Sequence, residues 1–425
     1  MRIAIIGSGI AGLASAWWLD GEHEVTLFEA NDYLGGHTHT HDVRVGGRRM
    51  AVDTGFIVFN PLHYPLLTAL FDELGVASQA TTMSFSVHSE RSGVEYNATS
   101  LDGLFCQRRN LASPRFWGML HDLRRFYRDA PALLDAHEGP TLGEYLRSQR
   151  YGAAFIEEHL LPMASALWSS PTATVMEFPA RYLVQFMANH QMLRMTGRSP
   201  WRVVQGGSAR YVDALRSRWQ VRERLGCPVH AVERMRWGVR VHSAAGVEGF
   251  DTVILACHSD QALALLADAD PAERAVLGGI RYQRNEVVLH TDASLLPRNR
   301  KAWAAWNAHV PRDPAAPCTV SYCMNLLQGL PGDVPLVVTL NRGDAIDPDK
   351  VLRRMSYAHP IHDHAAVRAQ RRWADIQGRR HTWFAGAYWG WGFHEDGIRS
   401  ARRVVDALRD RMPEAGALIE DEVSA

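Results

Sequence analysis

The stretch RIAIIGSGIAGLASAWWLDGEHEVTLFEANDYLGG, residues 2–36, decides how the rest of the chain is read. Residues 2–6 are an apolar, β-branched run that predicts a buried strand, and residues 11–19 predict a helix. Between them Gly7, Gly9 and Gly12 take the spacing of a phosphate-binding turn, with Ile10 and Ala11 completing it. Gly7 permits the tight turn, Gly9 lets the backbone approach a pyrophosphate, and Gly12 lets the helix pack on the strand. The helix start then directs its N–H groups and its dipole at the phosphates. A second strand over residues 24–28 ends at Glu29, followed by Ala30. An acid about 20 residues beyond the turn accepts hydrogen bonds from both ribose hydroxyls and repels a 2′-phosphate. A glycine-rich turn without a ligand is the bland alternative, and the strand, helix and acid together outweigh it.

The 425 residues are enough for two or three domains with a substantial core. Lys+Arg and Asp+Glu both number 46, so no global charge favours nucleic acid, and none is expected as a partner. Five cysteines without CxxC spacing fit reduced thiols and a cytoplasmic setting. The first residues already read as a strand, which leaves no room for a signal peptide. No run approaches the roughly 18–20 apolar residues of a membrane span, although peripheral contact with a membrane surface stays open.

The doublet Gly35-Gly36, a few residues after Glu29, has no place in a plain NAD site. Here the sequence resembles flavoproteins of the amine oxidase and phytoene desaturase superfamily. The resemblance continues at Val52-Asp53-Thr54-Gly55-Phe56, at Gln205-Gly206-Gly207-Ser208, at Pro228-Val229 and at residues 251–256. It closes at Phe384-Ala385-Gly386-Ala387-Tyr388 and at residues 392–401, GFHEDGIRSA. Phrases such as DTGFIVFN and GFHEDGIRSA are similar to a narrower branch, predicted FAD-binding proteins related to the flavoprotein part of plant cyclopropane fatty acid synthases.

The resemblance implies an α/β fold: a Rossmann-type FAD-binding domain with a mixed-sheet and helical substrate domain. It implies FAD held by Gly35, Gly36 and His37 at the pyrophosphate and by Thr54, Gly55 and Phe56 beside the flavin ring. Val229 is implied near the adenine, and Gly386, Asp396, Gly397 and Ile398 at the flavin edge. The cofactor domain is expected as residues 1–75, 200–275 and 375–425, and the substrate domain as 76–199 and 276–374. Residues 104–134 carry apolar groups at helical spacing, and the stretches 285–290, 318–325 and 335–340 read as strands.

His37, His39 and His41 alternate and would share one face of a strand. Contacts to FAD are the preferred reading over a metal site, for which no completing Cys or carboxylate cluster is at hand, and over covalent flavin attachment. FAD is therefore expected to be non-covalent, and no metal is expected. Only one GxGxxG follows a strand, which argues against a second, NAD(P)H-binding domain. Candidate catalytic residues are Tyr388 beside the flavin segment, Lys301 in the position where amine oxidases are searched for a lysine, and His359 in the segment 357–364. For Lys301 a solvated loop residue is the competing reading.

Phe116, Met119, Phe186, Met187, Met192 and Met195, set among arginines, suggest an alkyl-chain tunnel, with a plain helical core as the alternative. The branch resemblance implies a lipid or other apolar substrate, and a lipid methyltransferase or cyclopropane synthase as a partner. The function expected is an FAD-dependent oxidoreductase acting on a lipid acyl chain. An amine oxidase and a non-redox isomerase or lipid-modification partner protein are the alternatives.

Overall fold

A computed structural model describes residues 1–135, 139–194, 197 and 199–411. The chain divides into two compact units, one of residues 1–36, 211–280 and 368–425 and the other of residues 37–210 and 281–367. Residues 37–75 and 200–210, expected in the cofactor domain, thus belong to the second unit. The expectation followed the family's FAD contacts, whereas packing groups these residues with the sheet of the second unit.

In the first unit β1 (Arg2–Ile6), α1 (Ile10–Leu19) and β2 (Glu24–Phe28) fall where the sequence places them. β1 lies mid-sheet, paired in parallel with β2 on one side and with Thr252–Leu255 on the other. Arg222–Arg224 and Thr382–Phe384 close the two edges, also in parallel. Ile3, Ala4, Ile5 and Ile6 are all buried, as a strand covered on both faces demands. An antiparallel meander of Val229–Arg234, Val239–Ser243 and Gly246–Phe250 covers part of this sheet. Phe28 and Phe250 meet edge to face there, at 5.9 Å between ring centroids.

The second unit is built on a seven-stranded mixed sheet. Its spatial order is Val351–Pro360, Tyr282–His290, Val337–Leu340, Thr319–Cys323, Trp306–Val310, Phe85–Ser89 and Glu95–Asn97. Only Trp306–Val310 with Phe85–Ser89 is parallel. The strands expected at 285–290, 318–325 and 335–340 are three of these.

Residues 104–134 are not one helix. Pro114 cannot continue a preceding helical turn, and it instead sits in the first turn of a new helix, Pro114–Asp129, capped by Ser113. Phe116, Met119, Phe186 and Met187 are each at most 2% exposed. Phe116 packs on Tyr96 and Phe105, and Phe186 on Trp168 and His190. These positions are closed core rather than the wall of an open channel, and Met195 lies outside the described residues. No described helix is long and apolar enough to cross a membrane.

Candidate functional site

The first glycine cluster separates into positions that the fold requires and one that it leaves open. Gly7 has φ +101°, and a Cβ there would lie 2.9 Å from the Ala256 carbonyl oxygen. At Gly12 a Cβ would stand 1.9 Å from the Gly7 carbonyl oxygen. At Gly9, the N-cap of α1, a Cβ would meet nothing within 4 Å. The turn therefore keeps a glycine facing open space at the mouth of a helix whose first turn carries no acid and whose N-cap has no side-chain bond. This is the cradle that a dinucleotide phosphate fits, and Ile10 and Ala11 supply its first helical N–H groups.

Glu29 is buried, and its carboxylate accepts bonds from the Ser8 N–H (3.0 Å), Ser8 Oγ (2.6 Å), the Asn31 N–H (2.9 Å) and Asn31 Nδ2 (2.7 Å). The Gly35 N–H in turn donates to the Ser8 carbonyl at 3.0 Å. Ser8 thus ties the first glycine cluster, the acid and the second cluster together. The sequence reading passed over it because serine fills a variable position of the motif. Gly36, at φ +58°, would place a Cβ 3.0 Å from the Gly9 Cα. Exposed Ala30 follows Glu29, and the Cys227 N–H donates to the Glu29 carbonyl just ahead of Val229.

The closing helix His394–Asp410 meets α1 at their first turns, where a Cβ on Gly397 would come 2.6 Å from Ile10 Cγ2. Two helix N-termini, each carrying partial positive charge, converge here beside the buried Ile398. Asp396 accepts from the Phe393 N–H at 3.0 Å and pairs with Arg399. Burial pushes its carboxyl up to about 6. Tyr388 is 3% exposed, packed on Trp389 and on Gly386, where a Cβ would strike its ring.

The second unit gathers the other candidates. His37 lies against Tyr357 and His359, with ring centroids 4.9 and 5.3 Å apart. The Tyr357 hydroxyl bonds Thr54 Oγ1 at 2.8 Å and His39 Nδ1 at 3.1 Å. His359 Nδ1 meets Asn285 Nδ2 at 2.8 Å, and Asn341 Nδ2 donates to Asn285 Oδ1 at 2.7 Å. Desolvation and then the charge of His37 push His359 down to about 3. Desolvation, then His39 and Arg353, lowers His41 to about 4. Gly55 is obligatory, since a Cβ there would come 2.1 Å from the His37 carbonyl that accepts the Phe56 N–H at 2.7 Å.

Asp53 is the hub that sequence reasoning missed. Fully buried, it accepts from the Ser208 N–H (2.9 Å) and Oγ (2.9 Å), Thr40 Oγ1 (2.5 Å) and Gln328 Nε2 (2.8 Å). Its carboxyl is pushed up to about 6 by burial. Lys301 falls outside this network. It is exposed and pairs with the equally exposed Asp102 at 3.0 Å, so its ammonium is solvated, and we do not retain it as catalytic.

Residues 10–354 match the model of the family described as flavin containing amine oxidoreductase. The chain is 30% identical over 153 residues to a 1-hydroxycarotenoid 3,4-desaturase from a Flavobacterium species, covering 35% of this chain and 26% of that protein. The curated relatives it matches are covered over only 10–26% of their length. Its fold is similar to that of the fatty acid isomerase of P. acnes that produces CLA, with TM-score 0.66, 18% identity, and 96% and 98% of the two chains covered. It is also similar to a putrescine oxidase variant redesigned in its cofactor binding, with TM-score 0.70, 14% identity, and 97% and 100% covered. The chain belongs to the flavin containing amine oxidoreductase family, and its cofactor is FAD.

Proposed function

We propose that the protein is an FAD-dependent oxidoreductase that oxidises or desaturates an apolar substrate, a lipid acyl chain. Two electrons and two protons leave the substrate, and O2 or another oxidant takes the electrons. FAD, when bound, supplies the two-electron redox chemistry, while the protein supplies position, electrostatics and exclusion of water. Gly7, Gly9, Gly12, Gly35, Gly36 and Glu29 would hold the dinucleotide, the glycines through backbone N–H groups and Glu29 through the ribose.

The observation that carries the apolar reading is the likeness to a 1-hydroxycarotenoid 3,4-desaturase among the relatives. The resemblance of the phrases DTGFIVFN and GFHEDGIRSA to the flavoprotein part of plant cyclopropane fatty acid synthases adds to the same reading. Burial keeps His359, near 3, and His41, near 4, uncharged at neutral pH. A lipid methyltransferase or cyclopropane synthase partner belongs with this reading. Amine oxidation is the second reading, favoured by the family's description and by the fold shared with putrescine oxidase.

Anaerobic bleaching of the flavin band decides between them. Acyl esters and phospholipids with unsaturated or methyl-branched chains should bleach it, and mono- and polyamines should not. Bleaching by an amine alone overturns the lipid reading, and substrate isomerisation without any bleaching favours a non-redox flavoprotein. Acid precipitation should leave a colourless pellet, because no covalent link to FAD is proposed.

A further inference from the structure

We propose that residues 101–124 and the turn at 298–301 form a docking surface for an anionic phospholipid bilayer. Nine large apolar side chains are exposed among the described residues, and three of them, Leu101 (76%), Leu111 (51%) and Trp117 (50%), fall within one short stretch. They are neighbours in space as well. Trp117 Nε1 donates to the Leu111 carbonyl at 2.9 Å, and its ring lies 5.5 Å from that of Phe105. The Phe105 N–H donates to the Leu101 carbonyl at 3.0 Å. Water-exposed leucines and a tryptophan set together are costly unless something covers them.

Charge points to what covers them. Exposed Arg108, Arg109, Arg124, Arg300 and Lys301 lie in the same two segments as the apolar group. Asp102 is the one exposed acid among residues 101–125, and Arg108 and Lys301 share it. Arg109 also lines a cavity of about 700 Å³ with Arg298 and Arg312. The acids of that cavity are already engaged. Glu95 accepts the Arg298 and Asn299 N–H groups at 2.8 and 3.0 Å, and Glu90 pairs with His309 at 3.0 Å. Guanidinium groups beside an apolar tip are what phosphate headgroups over acyl chains complement, with leucine and tryptophan entering the interface while arginines hold phosphates. Nucleic acid would use the cations but leave the leucines exposed.

This inference goes beyond the proposed reaction, and its test is independent of turnover. The FAD-loaded protein is floated with phosphatidylcholine vesicles and with vesicles in which a third of the lipid is phosphatidylglycerol. Binding to the anionic vesicles is expected, weakening as salt rises. A variant carrying Leu101→Ser, Leu111→Ser and Trp117→Ser, and a second carrying Arg108→Glu and Arg124→Glu, should each lose at least about tenfold in partitioning while keeping the yellow colour and the thermal midpoint. Failure of wild type to float overturns the proposal, as does equal binding to both vesicle types or unaltered binding by both variants. A dimer in sedimentation that the triple-serine variant dissociates overturns it too, since a second copy would then be the cover.

Discussion

The two units carry their chemistry in different currencies of the chain. In the first, contiguous backbone does the work, because Gly7, Gly9 and Gly12 act by what they lack. In the second, side chains from far-separated segments converge, with His37, Thr54, Asn285, Asn341, Tyr357 and His359 drawn from four stretches of sequence. A glycine turn must form whatever the rest of the chain does, since local sterics demand it. A convergent polar network exists only after the sheet has aligned Tyr282–His290 with Val351–Pro360.

The largest effect should break the first unit. Gly12→Val puts atoms inside the Gly7 carbonyl, where backbone cannot yield, and should prevent stable folding, read as loss of soluble, cooperatively melting protein. At Gly9 an added Cβ has no protein atom within 4 Å, so Gly9→Val should fold with a thermal midpoint near wild type yet purify colourless. A Gly9→Val protein with stoichiometric FAD would show that the cradle is misplaced.

Glu29→Ala should come next. Loss of two charge-assisted bonds to the ribose, each worth about 1.5–3 kcal/mol, should weaken FAD binding at least about tenfold in a flavin titration. Unchanged affinity would remove Glu29 as the ribose anchor and leave it only the Ser8 and Asn31 contacts.

Acid should test the second unit instead. His290 is buried against Thr339 and lowered to about 4 by desolvation, and His41, His190, His309 and His359 are lowered to between about 3 and 4. Between these values and 6.5 only the unfolded chain takes up their protons, so stability is full above pH 6.5 and is lost as pH falls toward 4. His290 alone contributes about 3 kcal/mol on this basis. Asp53 and Asp396, raised to about 6, act the other way, since the folded state keeps their protons between 6 and 3.8. All five histidines lie in the second unit, against one raised aspartate in each. From pH 7 to 5, hydrogen exchange corrected for intrinsic rate should therefore accelerate in Tyr282–His290 and Val351–Pro360 before β1 and β2. Equal acceleration in both units would contradict the contrast.

The smallest effect is expected from Tyr357→Phe. It removes hydroxyl bonds to Thr54 and His39 and should cost about 1–2 kcal/mol in denaturant unfolding. A cost near zero would mean that the network positions nothing.

Residues 2–36 by themselves determined the nucleotide fold, the helix that opens at the glycine turn, and the acid at the end of the second strand. Each depends on periodicity and on steric demands within a few residues, which a single chain displays openly. Tertiary structure alone decided the rest. It gave Ser8 its bonds to Glu29 and made Asp53 the junction of Thr40, Ser208 and Gln328. It closed Phe116 and Phe186 into core and left Lys301 on the surface beside Asp102. Burial and charge pairing depend on which distant segments pack together, and in this chain those segments lie up to 391 residues apart.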